Sequence, residues 1–288
     1  MSRARRGILI LLGSLALLGN LSFGLLLVSQ RRAQLTLAPG ASVSDLYPRW
    51  LGTRNLLLSG RNPYTDVAAL ENERGYYGRV RRPDEAGLDP DGYQGFSYPL
   101  YAALFLAPAA LLPFTVFQVT ALAVLTVGIL WSVWTWTRLA GWPANPRWRG
   151  ACAAAALASV PVIDLLSLQQ LSGFLIPLLV LSVLCLQRNR LTTAGALLAA
   201  AMIKPQLAAL PAVGVGLWIL RDWRARWRCA VGFLLIMLPA LITSFVLLPG
   251  WPGWFLHQAR VYAARNALLA PALTPLPWLP GQVAVGIS

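Results

Sequence analysis

The sequence predicts an all-α protein that crosses a membrane several times, and three observations lead to this fold class. Hydrophobic residues make up 57% of the 288 residues and charged residues only 12%, about half the charged share of an ordinary soluble domain. Several apolar runs approach or exceed the roughly 20 residues that a helix needs to cross a bilayer. Eight of the ten acidic residues fall between positions 45 and 91, so most carboxylates lie in one loop.

The apolar runs divide the chain into predicted spans around one long polar loop. This loop covers residues 30–97, and a Pro/Trp-rich segment at 250–288 ends in the start of a further helix. No soluble domain or internal repeat is visible, so we expect residues 1–288 to form a single transmembrane domain. The predicted spans are residues 8–29, 98–112, 114–137, 150–168, 171–187, 191–220 and 230–249.

A basic N-terminus precedes the first span and indicates its orientation. Arg3, Arg5 and Arg6 are followed by about 22 apolar residues, longer than a signal-peptide core, and no A-x-A cleavage site follows. Because positively charged flanks stay in the cytoplasm, we expect the N-terminus there. The 30–97 loop and the 250–288 segment then lie outside the plasma membrane, and the protein is a multi-pass protein of that membrane.

Two arrangements of the middle of the chain remain open. Seven simple crossings fit the lengths of the apolar runs, but they leave several inter-helix arginines outside. The alternative makes 98–137 one kinked crossing and breaks 191–220 at Lys204 into a hairpin. It moves those arginines inside, as the positive-inside rule prefers, and it brings Gln169 and Gln170 outside.

The net charge of +14 reflects this topology and does not indicate a nucleic-acid surface. The arginines lie in the short segments between apolar runs, where they face membrane lipids, and we expect no nucleic-acid partner. The three cysteines lack the spacing of a metal site or a disulfide framework. The chain contains no P-loop, GxGxxG element, metal-ligand cluster or Ser-His-Asp set.

Within the long loop, the segment before Gly60 alternates apolar and basic positions at helical spacing. This pattern is typical of an interfacial helix that lies on the membrane surface. We expect Trp50, Leu51, Leu57 and Leu58 to face the lipid.

Ordered motifs in and after the loop resemble those of a known enzyme family. They are Asp45 with Tyr47 and Trp50, then Leu58 to Tyr64 (LSGRNPY), Phe96 to Pro99 (FSYP), Leu168 to Ser172 (LQQLS) and Met202 to Gln206 (MIKPQ). Together they resemble glycosyltransferase family 87, which comprises bacterial polyprenyl-phosphate-dependent enzymes of the GT-C fold and includes phosphatidylinositol-mannoside mannosyltransferases. The resemblance covers roughly residues 8–250.

Three departures from the family pattern accompany this resemblance. The family's Gly-Gln break is here Gln169-Gln170, and Leu100 stands where a second proline is usual. Family members are also longer, so we expect that this chain is either truncated or has lost the C-terminal helices.

The resemblance implies a GT-C-like helical bundle and an inverting hexosyltransferase. Such an enzyme moves a sugar, mannose by its relatives, from a polyprenyl-phosphate carrier to a lipid or glycan acceptor on the outer membrane face. A carboxylate accepts the proton of the attacking hydroxyl, and cations stabilise the leaving phosphate. We expect no resident cofactor, although a divalent cation is compatible with the fold.

Asp45, at the outer end of the first span, is the predicted general base. The alternative is that Asp45 only caps the following helix, which is a common role for aspartate. Asp66 is the next candidate carboxylate, although its position after Asn62-Pro63-Tyr64 is more typical of a turn or cap. Asp164 lies within an apolar span and is expected to pair with a neighbouring helix.

Several residues are predicted to contact the substrate, and each has a plainer alternative. Lys204 is the only lysine and interrupts an apolar run, which suggests a phosphate ligand or a lysine that extends to the interface from a helix end. Gln169 and Gln170 either bind the sugar or phosphate or form a polar turn. Arg49 faces lipid phosphate, and Tyr64 of the LSGRNPY motif joins this set through the resemblance.

His257 and Arg260 belong to the segment that covers the donor in proteins of the GT-C fold. The resemblance therefore implies that both contact the leaving phosphate. The plainer alternative is an interfacial helix with a solvated histidine.

Two other functions compete with the transferase. A transporter or flippase for a lipid-linked saccharide would show inverted repeats and polar groups near the bilayer midplane, whereas no repeat is visible and most carboxylates lie in a loop. A non-catalytic membrane fragment of a transferase is the second alternative.

Overall fold

The chain is helical throughout the part that the computed structural model describes, residues 3–35, 37–81, 94–141 and 145–267. No strand occurs within these ranges. The all-α prediction is confirmed. The helices are α1 (Arg3–Gln34), α2 (Leu46–Ser59), α3 (Asp66–Tyr77), α4 (Tyr101–Phe105), α5 (Ala107–Ala110), α6 (Phe114–Leu139), α7 (Pro146–Leu157), α8 (Val160–Leu168), α9 (Ser172–Gln187), α10 (Leu191–Ala201), α11 (Pro205–Arg221), α12 (Trp223–Leu247) and α13 (Trp251–Ala267).

Three helices of the described ranges are long and apolar enough to cross a membrane: α1 from Leu12 onward, α6 and α12. A fourth span arises if α7 and α8, which meet at a bend of 61°, are counted as one broken crossing. The apolar helices α9, α10 and α11 are shorter, with 16, 11 and 17 residues. The protein is therefore an all-α membrane protein, as predicted.

The long loop, the start of α6 and the end of α8 meet at one end of the bundle, which we call the loop end. The amide of Asp45 donates to the carbonyl of Leu168 (2.8 Å). The side-chain nitrogen of Gln118, in the second turn of α6, donates to Oε1 of Gln169 (3.1 Å). The opposite end, the arginine end, carries the connections at 138–149, 188–190 and 221–228.

Close packing of α10 against α12 fixes the course of residues 191–220. A methyl group added to Gly195 would collide with the carbonyl oxygen of Cys229, and one added to Gly232 would collide with that of Thr192. Small residues allow membrane helices to approach this closely. The starts of α10 and α12 therefore lie together at the arginine end.

The structure resolves the two arrangements that the sequence left open. Residues 191–220 break before Pro205 into α10 and α11, as the hairpin arrangement predicts. Residues 98–112 form only the short helices α4 and α5, which are far below the length of a span. They are therefore neither a separate crossing nor the first part of a kinked one. The expected kinked crossing at 98–137 is therefore wrong, and α6 crosses alone.

The helix predicted before Gly60 exists as α2, but its surroundings differ from the expectation. Gly60 ends it in the left-handed conformation (φ 62°), which glycine adopts without strain. Trp50 donates from Nε1 to the carbonyls of Ala109 and Leu112 (both 3.1 Å), and Leu58 is 52% exposed. The helix thus docks on α5: Trp50 and Leu57 of the predicted membrane-facing set pack on protein, whereas Leu58 stays exposed, and its contact with lipid stays a prediction.

The C-terminal segment at 250–288 begins with α13. This helix contacts the loop end, where the side-chain nitrogen of Gln258 donates to the carbonyl of Tyr64 (2.7 Å). The further helix expected near the end of the chain lies outside the described residues.

The glycine contacts between α10 and α12 lead to a prediction about stability. We expect Gly232→Ala to lower the free energy of unfolding by about 1–3 kcal/mol, because the added methyl group meets backbone that can move only by separating the helices. Gly214→Ala, in α11, is the matched control, since nothing lies within 4 Å of its added methyl group. It should be neutral or stabilising, because alanine is the better helix former. Thermal unfolding in detergent measures both, and equal stability of the two variants would contradict the packing.

Candidate active site

Four polar side chains of the loop end are electrostatically coupled to one another through Tyr98 and Lys204, and we call them the Asp45 cluster: Asp45, Arg49, Tyr98 and Lys204. The Lys204 ammonium interacts electrostatically with Arg49 and with Asp45. Tyr98 interacts with the same two residues, and it shares a hydrogen bond with Arg49. The Arg49 guanidinium carbon lies 4.9 Å from the centroid of the Tyr98 ring. Residues far apart in the sequence thus form one charged group at the end of the spans.

Local rules of chain geometry bring these side chains together. Asp45 and Arg49 are four residues apart at the start of α2, so they lie on the same face of the helix. Lys204 precedes Pro205, which cannot donate the hydrogen bond needed to continue α10 and which disfavours helical conformation in the residue before it. Lys204 accordingly adopts φ −127° and ψ 81°. The chain therefore turns at Lys204 and presents its ammonium at the loop end.

Asp45 does not act as the helix cap that the alternative interpretation assigned to it. Its backbone is helical (φ −60°, ψ −19°), and its carboxylate makes no capping hydrogen bond. The neighbouring Ser44 takes that position, since its Oγ accepts from the amide of Leu46 (3.3 Å). Asp45 thus stands at the N-cap position without a capping hydrogen bond, and its role as general base stays a prediction.

The other carboxylates of the described ranges are used elsewhere. Asp66 is exposed in the first turn of α3, and Thr65 caps that helix. Asp164 pairs with another helix, as expected. The partners are Arg61 for Glu71 (2.7 Å), Arg81 for Glu73 (3.0 Å), Arg31 for Asp164 (2.7 Å) and the amide of Ala225 for Asp222 (3.4 Å).

The paired carboxylate of Glu71 shows what such a partner does to acidity. The hydrogen bond from Arg61 holds the pKa of Glu71 below its ordinary value. A carboxylate held in this way is a poor proton acceptor, because its charged form is stabilised. Within the described residues no three His, Cys, Asp or Glu side chains come together as a metal site requires, and cation binding stays a prediction.

Gln169 and Gln170 form a polar turn between α8 and α9. Gln169 adopts the left-handed conformation (φ 49°), and its side-chain nitrogen donates to the carbonyls of Leu166 and Ser167 (3.3 and 3.4 Å). The side-chain nitrogen of Gln170 donates to Oδ2 of Asp164 (3.4 Å). Both amides are engaged within the fold, and their contact with a sugar or phosphate stays a prediction.

Tyr64 is buried, with 1% of its surface exposed, and its hydroxyl donates to the carbonyl of Tyr98 (2.7 Å). Burial raises the pKa of Tyr64 well above its ordinary value, so its phenol stays a neutral donor. The residue was predicted to contact the substrate, whereas the structure uses its hydroxyl to support the backbone of Tyr98. Tyr64 therefore positions Tyr98, the residue that holds Arg49.

His257 and Arg260 lie on the exposed face of α13. The structure describes no contact that joins them to the Asp45 cluster, and their predicted contact with phosphate remains a prediction. The opposite face buries Trp251 and Gln258, with 7% and 2% of their surfaces exposed. Sequence analysis missed this pair, although their spacing of seven residues is the signal of one helix face.

The electrostatic contacts of the Asp45 cluster lead to a prediction about the reactivity of Lys204. Burial lowers the pKa of Lys204, Arg49 also lowers it, and Asp45 raises it. We therefore expect Asp45→Asn to lower this pKa and Arg49→Gln to raise it. Because Lys204 is the only lysine, the pH dependence of its labelling by an amine reagent, followed on its own peptide by mass spectrometry, reports the pKa directly.

The matched control for this labelling experiment is Asp66→Asn, which removes an exposed carboxylate outside the cluster. Its labelling profile should coincide with that of the unmodified protein. Profiles that move in the same direction for Asp45→Asn and Arg49→Gln would show that the cluster is not assembled as described.

Comparison with known proteins identifies a family. The model of glycosyltransferase family 87 matches residues 96–286, about two thirds of the chain, and this match contains Tyr98 and Lys204. Asp45 and Arg49 lie before the matched part. No curated protein and no solved structure matches the chain. The match over most of the chain shows that this membrane protein belongs to glycosyltransferase family 87.

Proposed function

We propose that the protein is an inverting hexosyltransferase of the cell membrane. In this proposal it transfers a sugar, mannose by its resemblance to mannosyltransferases, from a polyprenyl-phosphate carrier to a lipid or glycan acceptor. Membership of the glycosyltransferase family supports the reaction class. The observation that supports the mechanism is the electrostatic coupling of Lys204 to both Asp45 and Arg49, whereas the other carboxylates of the described residues are paired or exposed elsewhere.

The position of the cluster fits a substrate whose phosphate is anchored in the membrane. Helix α6 begins at Phe114 and α12 ends at Leu247, so the loop end lies where the spans leave the bilayer. A polyprenyl chain can remain among the spans while its phosphate reaches this boundary. The donor needs no nucleotide-binding domain, because its activated bond is already in the membrane.

Each step of the proposed transfer has a residue at the loop end. The acceptor hydroxyl attacks the anomeric carbon on the side opposite the phosphate, and Asp45 accepts its proton. The bond from the anomeric carbon to the phosphate oxygen breaks, and the electron pair leaves with the polyprenyl phosphate. Lys204 and Arg49 stabilise the charge that develops on that phosphate, and the configuration at the anomeric carbon is inverted.

Charge balance within the cluster favours this sequence of events. Before transfer, one carboxylate and two cations face a phosphodiester with one negative charge. When Asp45 takes a proton its own charge disappears, while the leaving phosphate gains negative charge. The two cations then act on the phosphate alone, so proton transfer and departure of the phosphate support each other.

Arg49 and Lys204 are held in different ways. Stacking on the Tyr98 ring at 4.9 Å restricts the Arg49 guanidinium, and a guanidinium suits phosphate because it donates in a planar fork. Lys204 stands at the start of α11, where the free amides and the helix dipole also favour an anion. The two cations therefore approach a phosphate from separate elements.

The distribution of arginines supports an outer location for the loop end. Nine arginines lie in the short connections of the arginine end or in the helix turns that flank them: Arg138, Arg147, Arg149, Arg188, Arg190, Arg221, Arg224, Arg226 and Arg228. Short loops rich in positive charge stay in the cytoplasm, whereas long loops cross regardless of their charge. In this proposal the N-terminus is cytoplasmic and the Asp45 cluster faces outward.

The proposal predicts that Asp45→Asn removes transfer without unfolding the protein. We expect a loss of activity of about 10²- to 10⁴-fold, the usual contribution of a general base. The measurement uses membranes with matched amounts of each variant, a labelled polyprenyl-phosphate mannose donor and a lipid extract as acceptor. Asp66→Asn is the control and should retain activity, because its carboxylate is exposed and outside the cluster.

The outcomes of this assay separate the parts of the proposal. Transfer that survives in Asp45→Asn would reject Asp45 as the base. Transfer that persists in Lys204→Gln with an unchanged KM for the donor would reject Lys204 as a phosphate ligand. Transfer by the unmodified protein only with a different donor sugar would reject mannose and retain the mechanism.

A further inference from the structure

Two buried polar atoms on one face of α13 have no hydrogen-bond partner. They are Nε1 of Trp251, a donor, and Oε1 of Gln258, an acceptor. Both side chains are more than nine-tenths buried. Folded proteins rarely leave such atoms unpaired, because each loses its bonds to water and gains nothing in return. The pair therefore requires an explanation that the fold itself does not provide.

The surroundings of this pair are aromatic. The edge of the Tyr101 ring meets Trp251, with centroids 6.3 Å apart and planes at 88°. Phe245 and Phe255 contact the same indole ring at 5.7 and 6.4 Å. Aromatic walls with a few placed polar groups are typical of small-ligand sites.

Contacts link this face of α13 to the Asp45 cluster. The Gln258 side-chain nitrogen donates to the carbonyl of Tyr64 (2.7 Å), and the Tyr64 hydroxyl donates to the carbonyl of Tyr98 (2.7 Å). Tyr98 in turn holds Arg49. Tyr101, which meets Trp251, stands one helical turn after Tyr98. A ligand against α13 would thus lie next to the residues assigned to the phosphate.

We propose that the buried face of α13, with Trp251, Gln258 and Tyr101, is a saccharide subsite of this enzyme. Sugar hydroxyls both donate and accept, so different hydroxyls of a saccharide can pair with the indole N–H and with the amide oxygen, which stand about two helical turns apart, and the apolar face of a sugar ring packs on aromatic rings. This inference rests on the proposed function, because the subsite would supply the contacts to the sugar that the Asp45 cluster lacks. The sugar belongs either to the donor or to a glycan acceptor.

Trp251→Phe tests the subsite, because it replaces the indole with a phenyl ring, which is aromatic but has no N–H. A sugar that binds Nε1 would lose one hydrogen bond, and we expect KM for one substrate to rise about five- to tenfold. A rise in KM for the donor alone would mean that the subsite binds the transferred sugar. A rise in KM for the acceptor alone would mean that it binds the acceptor sugar. Thermal stability should fall only by the packing that the smaller ring loses, since the removed N–H has no partner within the protein.

Trp254→Phe is the matched control, because Trp254 lies on the exposed face of the same helix. It should leave both KM values unchanged. Unchanged KM values in Trp251→Phe as well would overturn the subsite and leave a buried water as the partner of the indole. A loss of stability in Trp251→Phe that matches the loss of activity would also overturn it.

A second measurement tests the subsite independently of the assignment of Asp45 as the base. The Asp45→Asn protein should still bind the donor or a glycan acceptor, and each would raise its melting temperature by binding the folded state. We expect this rise to shrink when Trp251→Phe is added and to persist when Trp254→Phe is added. Equal rises in both double variants would reject the subsite even if Asp45 is the base.

Discussion

The electrostatic coupling of Lys204 to Asp45 and Arg49 is the interaction on which the loop end depends. It joins α2, which follows the first span, to the turn between α10 and α11, more than 150 positions later in the chain. The contact requires that the chain turn at Lys204, and Pro205 ensures this by ending α10. It also requires that Ser44 cap α2, which leaves the carboxylate of Asp45 available to the cations.

Hydrogen bonds from the long loop hold this contact in place. Trp50 and Arg54 donate to carbonyls of α5 and the turn after it, so one face of α2 lies on protein. The Tyr64 hydroxyl fixes the Tyr98 backbone, and the Tyr98 ring lies beneath Arg49. The described part of the loop therefore packs against the end of the bundle, and buried residues hold the site residues.

Sequence analysis predicted the all-α membrane fold and the pairing of Asp164 and offered the break at Lys204 as one of two arrangements, because each has a local physical cause. Apolar length predicts spans, proline ends a helix, and a carboxylate within an apolar run requires a cation. It did not predict that residues 98–112 form two short helices on α2, because an apolar segment buried in protein has the composition of one buried in lipid. For the same reason α2 was assigned to the membrane surface.

The sequence by itself determined the membrane class, the helical spans, the concentration of carboxylates in one loop and the family, since these depend on composition and on motifs within short stretches. Only the tertiary structure decided that Glu71 and Glu73 each pair with an arginine while Asp45 is coupled to Lys204, because the three carboxylates differ in their neighbours and not in their chemistry. It also decided that Trp251 and Gln258 face inward while His257 and Arg260 face outward. The orientation of an amphipathic helix at the end of a bundle depends on what packs against it, and that surface is built from distant parts of the chain.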